Sequence, residues 1–175
     1  MTIEYVVVAS GSSEARERWS SRLGERFAIC EATERKSLHQ VITNLRPCVA
    51  LLDLALPGLG RVTGLPVIRR LSPATKILAA TDNPTHSEGI AAIKAGAKGY
   101  YTGTVDASLL KKAVLAVQNG ELWVERGLAT ALVEDLVSVD GASQKAVSGK
   151  PDRRLECLTL RQREVADAIA TGASN

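Results

Sequence analysis

In this 175-residue chain, side chains suited to chemistry gather in a few short stretches. Asp53 is a lone acid closing the apolar run Cys48 to Asp53 (CVALLD). A carboxylate there can hold a cation, act as a nucleophile, or tie down the amides of the loop that follows. Ser10, Gly11, Ser12 and Ser13 form a second stretch, small and hydroxyl-rich, between an apolar run and Glu14. Such a loop ahead of a helix N-terminus is suited to an anion, and sulfate or phosphate is the expected ligand class. Thr81 and the stretch Thr102-Gly103-Thr104 end two further apolar runs. His39 and His86 have no paired acid or cysteine, and neither reads as a ligand or a base. Cys30, Cys48 and Cys157 are odd in number and widely spaced, which indicates neither a disulfide framework nor a zinc cluster and fits a reducing cytoplasm.

The elements that must position these residues follow from periodicity. Glu4 to Ala9 reads as a strand, and Glu14 to Phe27 as a helix with Ala15, Trp19, Leu23 and Phe27 four apart and Ser12 or Ser13 as its cap. The alternation continues with a strand over Ala28 to Ala32, a helix over Ser37 to Leu45 and the strand that ends at Asp53. A Pro/Gly-rich loop over Leu54 to Thr63 leads into a helix over Leu65 to Leu71. Then come a strand over Lys76 to Thr81, a helix over Ser87 to Ala95, a strand over Ala97 to Tyr101 and a helix over Ala107 to Gln118, which Asp106 caps. Gly96 and Gly120 read as helix stops. Five strands alternate with five helices, and most strands are apolar throughout, so both sheet faces must be covered. That predicts a doubly wound α/β domain over residues 1–120, with right-handed crossovers that bring Ser10, Gly11, Asp53, Thr81 and Gly103 to one sheet edge.

Beyond Gly120 the pattern changes. Residues 121–157 read as a linker whose first part, Glu121 to Leu136, is helical, and Val139 to Arg154 is polar and aperiodic. Residues 158–175 form one more helix, with Thr159 and Gln162 as a capping box. Composition sets the outer bounds: 45% hydrophobic residues, 23% charged and 3% aromatic, with no long uncharged apolar run, exclude disordered and membrane-spanning classes. The net charge of +3 hides an asymmetry, because residues 1–120 hold fifteen Lys/Arg against ten Asp/Glu while residues 121–175 hold seven against nine. With no aromatic interleaving, that surplus does not by itself make a nucleic-acid surface.

Four segments carry a resemblance to a known family: CVALLDLALPGL around Asp53, AGAKGYYTG at 95–103, NGELWVERG at 119–127 and LTLRQREVADAIATGASN at 158–175. In this order and spacing they resemble the response regulators of the NarL/FixJ class, in which a receiver domain is linked to a LuxR-type helix-turn-helix. The resemblance implies a flavodoxin-like (CheY-like) five-stranded parallel sheet of strand order 2-1-3-4-5, with residues 158–175 as the first helix of a truncated DNA-binding domain. It implies a transcriptional regulator, not an enzyme, with a sensor kinase or other regulatory protein as partner. DNA would be a partner of the full-length protein and not of residues 1–175. The apolar faces of Ala107 to Gln118 and Glu121 to Leu136 are candidates for a homodimer.

By the same resemblance, Asp53 matches the phosphoacceptor, Thr81 the hydroxyl that follows strand four, and Tyr100 a switch aromatic. The family's acid pair falls on Ser10 and Gly11, and its lysine on Gly103. The loop departs as well, with Leu56 before Pro57-Gly58 and the glycine ahead of the next helix delayed to Gly64. One carboxylate retains Mg²⁺ poorly, so no cofactor is expected and Mg²⁺ binding should be weak or absent. Asp53 has an equal claim to a purely structural role, and Tyr100 reads more readily as a packed rim aromatic than as a moving switch. Two other readings stay open: a receiver-only interaction adaptor, and a phosphate- or flavin-binding flavodoxin-like module built on the Ser10–Ser13 loop.

Overall fold

The computed structural model describes residues 4–24, 26–102 and 107–143. Five strands, β1 (Tyr5–Ala9), β2 (Ala28–Ala32), β3 (Val49–Asp53), β4 (Lys76–Thr81) and β5 (Gly99–Thr102), form one sheet of order β2-β1-β3-β4-β5 with every pairing parallel. Between and after them lie α1 (Ser13–Leu23), α2 (Arg35–Leu45), α3 (Leu65–Leu71), α4 (His86–Lys94), α5 (Ala107–Gln118) and α6 (Arg126–Ser143), with a short 3-10 turn at Arg61–Gly64. This is the doubly wound architecture expected from the alternation of elements, with the strand order that the resemblance implies.

Apolar runs without alternation form strands here because each sheet face has its own helical cover. Val7, Ala9, Ala50 and Leu52 point into one core with Leu38, Ile42, Ile68 and Ile93. Val6, Val8, Val49 and Leu51 point into the other with Trp19, Leu23, Leu110, Val114 and Val117. A register slip by one residue would exchange these two sets, so the shape of both cores fixes the pairing. Helix boundaries follow local chemistry. The Ser12 hydroxyl accepts from the Ala15 amide and starts α1, and Thr85 does the same for α4 through the Glu88 amide. Gly96 and Gly120, at φ 110° and 89°, turn the chain out of α4 and α5.

Three expectations need correction. Helix α1 stops at Leu23, capped by Gly24, and Phe27 lies beyond its end, buried at 3% exposure in the core. β5 starts two residues later than expected, at Gly99, and ends one later, at Thr102. The largest change concerns Glu121 to Leu136, whose first five residues are extended, not helical. The Trp123 amide donates to the Lys98 carbonyl and its own carbonyl accepts from the Tyr100 amide, so the segment hydrogen-bonds along the β5 edge with a parallel bridge to Gly99. An unpaired strand edge supplies this demand, and Leu122 and Val124, at 3% and 1% exposure, alternate inward to anchor the segment. The helix begins at Arg126 instead and continues to Ser143, into residues expected to be linker. The remainder of that linker, and the helix expected over residues 158–175, lie outside the described residues.

Helix α6 seats Leu128, Ala129 and Leu132 in the first core. It meets α4 where Gly89 has no side chain: a Cβ there would stand 2.6 Å from Leu128 Cδ2. A Lys94–Asp135 ion pair adds a polar tie between the same two helices. Of the helical faces considered for a homodimer, Leu110, Val114, Val117, Leu128 and Leu132 are buried within the monomer and Val133 is exposed. Leu128→Ala should lower the unfolding free energy by about 2–4 kcal/mol in a urea titration; a loss below about 0.5 kcal/mol would mean that α6 does not rest on the domain.

Candidate functional site

The parallel register aligns the C-terminal ends of the strands. Ala9 is paired with Leu52, Asp53 with Ala80, and Thr81 with Thr102, so the loops after β1, β3 and β4 open on one edge. The Ser10 amide extends the β1–β2 ladder by donating to the Ala32 carbonyl at 3.1 Å, which holds Ser10 fully buried. From there its hydroxyl donates to Asp53 Oδ2 at 2.6 Å and accepts from the Ser12 amide at 3.1 Å. The other oxygen of Asp53 accepts from the Ala55 amide at 2.8 Å. Sequence reasoning brought Ser10 and Asp53 to one edge, and the structure joins them directly.

Around this pair the other expected residues take separate places. Gly11 packs against the loop after β3, where a Cβ would lie 2.9 Å from Pro57 Cδ, and a proline ring cannot swing aside. Thr81 is buried at 7% exposure and accepts a long contact, 3.4 Å, from the Asn83 amide. Ser12 spends its hydroxyl on capping α1, and Ser13 is exposed. The Ser10–Ser13 loop thus has two of its three hydroxyls committed to internal partners. Arg16 braces the loop from α1: Nη1 donates to the Ser10 carbonyl at 2.8 Å while Nε pairs with Glu31 at 3.0 Å. Gly103 lies outside the described residues.

A cavity of about 210 Å³ opens beside Asp53, with Thr81, Arg18 and Trp19 in its wall and the exposed residues Glu14 and Asp82 at its rim. Two further carboxylates, from the first turn of α1 and the residue after β4, border the opening beside Asp53 without closing on it. Neither position was singled out from the sequence. Both look like ordinary surface acids there, and only the crossover geometry turns them to the same opening. Among the described residues, no three His, Cys, Asp or Glu side chains come together closely enough to hold a metal ion. The residues present do not fit the Mg²⁺ site that the receiver fold implies. A hydroxyl stands where an acid is needed at Ser10, and the second acid position is closed by the Gly11–Pro57 contact.

Tyr100 faces away from this cavity, into the first core at 7% exposure. Its hydroxyl donates to Glu88 Oε2 at 3.0 Å and accepts from the Thr85 amide at 3.2 Å. Glu88 also accepts from Arg61 Nε at 3.0 Å, so the turn after β3, the start of α4 and β5 share one carboxylate. Arg61 has a positive φ of 54°, and nothing in the sequence indicated its partner 27 residues away. Burial above all pushes the Tyr100 phenol up to about 12; the Thr85 amide opposes this, the adjoining Glu88 carboxylate adds to it, and Arg61 pulls weakly the other way.

A parallel sheet with an aspartate at the end of its third strand and a packed aromatic on its fifth defines the receiver class of signalling domains. The response regulator receiver domain matches residues 6–115, and the chain belongs to that family. Its relatives include the oxygen regulatory protein NreC of Staphylococcus epidermidis, 28% identical over 97% of this chain and 78% of that protein. Another is the nitrate/nitrite response regulator protein NarL of Escherichia coli, 28% identical over 84% of this chain and 64% of that protein. Among solved structures, a LuxR family two-component response regulator from Aurantimonas sp. SI85-9A1 superposes with a TM-score of 0.68 at 24% identity, covering 78% of this chain and 99% of that one. The isolated REC domain of RcsB from Salmonella enterica serovar Typhimurium gives 0.65 at 20% identity, over 75% and 99% of the two chains. The last two likenesses speak to fold alone. No helix among the described residues is long and apolar enough to cross a membrane.

The raised phenol has a consequence at alkaline pH. Tyr100 is neutral in the fold to higher pH than in the unfolded chain, so its stabilising effect is complete below about pH 10 and is lost as pH rises toward 12. Ultraviolet titration should show one tyrosine ionising well above the ordinary range. In Glu88→Gln that transition should move down but stay elevated, since burial remains; an unchanged titration would disprove the Glu88 contact.

Proposed function

We propose that this chain is the receiver part of an atypical transcriptional response regulator of the NarL/NreC type, in which Asp53 is not phosphorylated by the usual Mg²⁺-dependent route. One observation carries the reading: the Asp53 carboxylate is already engaged by the buried Ser10 hydroxyl and the Ala55 amide, with no metal-binding group around it among the described residues. Transfer of a phosphoryl group to a carboxylate brings anion to anion, and the approach needs cations on the phosphoryl oxygens. Among the described residues, the charges that line the cavity are Glu14, Asp53 and Asp82 against Arg18, a balance that opposes an anionic donor.

In this reading the protein is a cytoplasmic regulator and not an enzyme. Transcriptional control is exerted through a DNA-binding unit that residues 158–175, similar to the opening helix of a LuxR-type domain, begin. The relatives named for oxygen regulation and for the nitrate/nitrite response support a signalling role, and a sensor kinase or another regulatory protein is the partner class that goes with it. With phosphorylation set aside, the input must be another contact that favours one arrangement of the receiver over another.

Incubation with acetyl phosphate and Mg²⁺ should leave the intact mass of the protein unchanged, and beryllofluoride with Mg²⁺ should produce no amide shifts at Asp53 or Thr81. Ser10→Asp alone should not restore either response, because the Gly11 position stays closed by Pro57. A stoichiometric acid-labile adduct on Asp53 of the unaltered protein would refute the proposal.

A further inference from the structure

The edge of the sheet opposite Asp53 collects cations. Arg46 caps the end of α2, Arg69 and Arg70 lie in the last turn of α3, and Lys76 opens β4. Backbone ties bring these ends together. The Lys76 amide donates to the Cys48 carbonyl at 3.0 Å and the Thr75 hydroxyl to the Pro47 carbonyl at 2.7 Å, so the turn after α2 is fastened to the turn after α3. Arg69 lies over Gly96 at the end of α4, where a Cβ would overlap its Cδ. Arg46, Arg69 and Arg70 are exposed, and among the described residues none of the four cations has an ion-pair partner. At the Asp53 edge, by contrast, Arg16 is paired with Glu31 and Arg61 with Glu88. The described acids at the basic end of the fold are Glu4 ahead of β1, Glu121 after α5, and Glu134 and Asp135 on α6, of which Lys94 holds the second.

Cations in the last turn of a helix complement its dipole, which accounts for Arg69 and Arg70 in part. Arg46 is not accounted for in that way. It stands in the left-handed conformation, φ 44° and ψ 59°, at a helix end where glycine or asparagine would carry less strain. An arginine there in spite of the backbone cost points to a use for its charge.

The chain also leaves the domain on this side. Helices α4 and α6 run side by side in the same direction, since His86 meets Glu125 and Gly127 at their starts and Lys94 meets Asp135 about two turns on. From Asp135 the helix continues to Ser143, ~12 Å at ~1.5 Å per residue, away from the Asp53 edge.

We propose that the basic edge formed by Arg46, Arg69, Arg70 and Lys76 binds the phosphate backbone of duplex DNA without regard to sequence. The choice of DNA among polyanions rests on the reading of residues 158–175 as the opening of a DNA-binding unit, because α6 directs the chain toward this side of the domain. The exposed apolar residues next to these cations, Leu45 and Leu71, are 42% and 38% exposed, too little apolar surface to enter a bilayer. Phosphate contacts position a protein on DNA and read no bases, so this edge adds to base recognition made elsewhere. In this respect the proposal departs from the expectation that DNA is no partner of residues 1–175.

The test is fluorescence anisotropy of two labelled duplexes of about 20 base pairs and unrelated sequence, titrated with residues 1–175 in the absence of Mg²⁺ and phosphodonor. Both should bind saturably, within about twofold of each other, at about 50 mM salt, and affinity should fall by about 7- to 50-fold at about 150 mM, as two to four neutralised phosphates require. Arg46→Gln combined with Arg70→Gln should weaken binding by about tenfold and flatten the slope of log affinity against log salt by about 1.8. Lys36→Gln combined with Lys112→Gln removes the same charge from exposed positions elsewhere and should cost less than about threefold. The proposal fails if no saturable binding occurs at the lower salt, if the two double variants lose affinity equally, if one sequence is preferred by more than about tenfold, or if phosphatidylserine vesicles bind more tightly than either duplex. With no phosphodonor present, such a failure leaves the phosphorylation reading of Asp53 standing, and an adduct on Asp53 in the separate assay leaves the basic edge standing.

Discussion

Ser10 is fully buried, and its hydroxyl has one acidic acceptor within reach, Asp53, at 2.6 Å. A buried hydroxyl must donate somewhere, and a carboxylate at the end of a buried strand must be satisfied by something. In this chain the two requirements cancel each other. A charge-assisted bond of this length holds the loops after β1 and β3 together without a cation, and the Ser12 amide, which donates to the same hydroxyl, ties in the start of α1. An acid at the Ser10 position would place a second carboxylate against the first and create the need for a metal. A serine removes that need and builds the neutral substitute.

The neighbouring position makes the arrangement hard to reverse. Gly11 brings the backbone up to Pro57, and the space that a side chain would need is filled by that ring. The loop from Asp53 onward has adapted to this contact. It runs through Gly58 and Gly60 at φ 75° and 78° and through Arg61 at 54°, conformations that L side chains seldom adopt, before α3 can start. Gly64 then lets the Leu59 carbonyl pass close to the first turn, where a Cβ would collide with it.

The sheet was legible because its signals are local and redundant. Runs such as VALLD and KILAAT are apolar on both faces, separated by helical periodicity and by glycine stops, and they admit few arrangements other than a doubly wound one. The helical reading of residues 121–125 failed because the spacing of Leu128, Leu132 and Leu136 was carried back to Glu121, whereas Leu122 and Val124, two apart, are spaced as in a strand and the free edge of β5, more than twenty residues earlier in sequence, takes them up. At the site, the family pattern located Asp53, Thr81 and Tyr100, and the residue types at 10 and 11 revealed the departure from it. Glu14, Arg18 and Asp82 carried no signal of their own. A polar residue in the first two turns of a helix reads as solvated surface until the crossovers show what it overhangs. The same holds for Arg61 and Glu88, whose pairing depends on how the loop after β3 folds back.

That pairing bears on how such a receiver could respond to anything at its edge. The loop that starts at Asp53 ends in the turn whose Arg61 holds Glu88, and Glu88 holds Tyr100. Gly89, the next residue, receives Leu128 of α6, and α6 leads toward the residues that resemble a DNA-binding unit. The edge and α6 are therefore joined by packed, hydrogen-bonded groups in continuous contact, with α4 as the shared element. Contiguity alone transmits nothing; an element with two arrangements, each favoured differently by the input, is required. Helix α4 is suited to that part. It is short, it is started by Thr85 in a loop with exposed neighbours, and beside Ala92 and Ile93 in the core it is held by Glu88, Gly89 and Lys94. A shift of α4 by a fraction of a turn would break the Glu88 contacts and unseat Leu128 together, so the position of α6 is set by whatever decides where α4 rests.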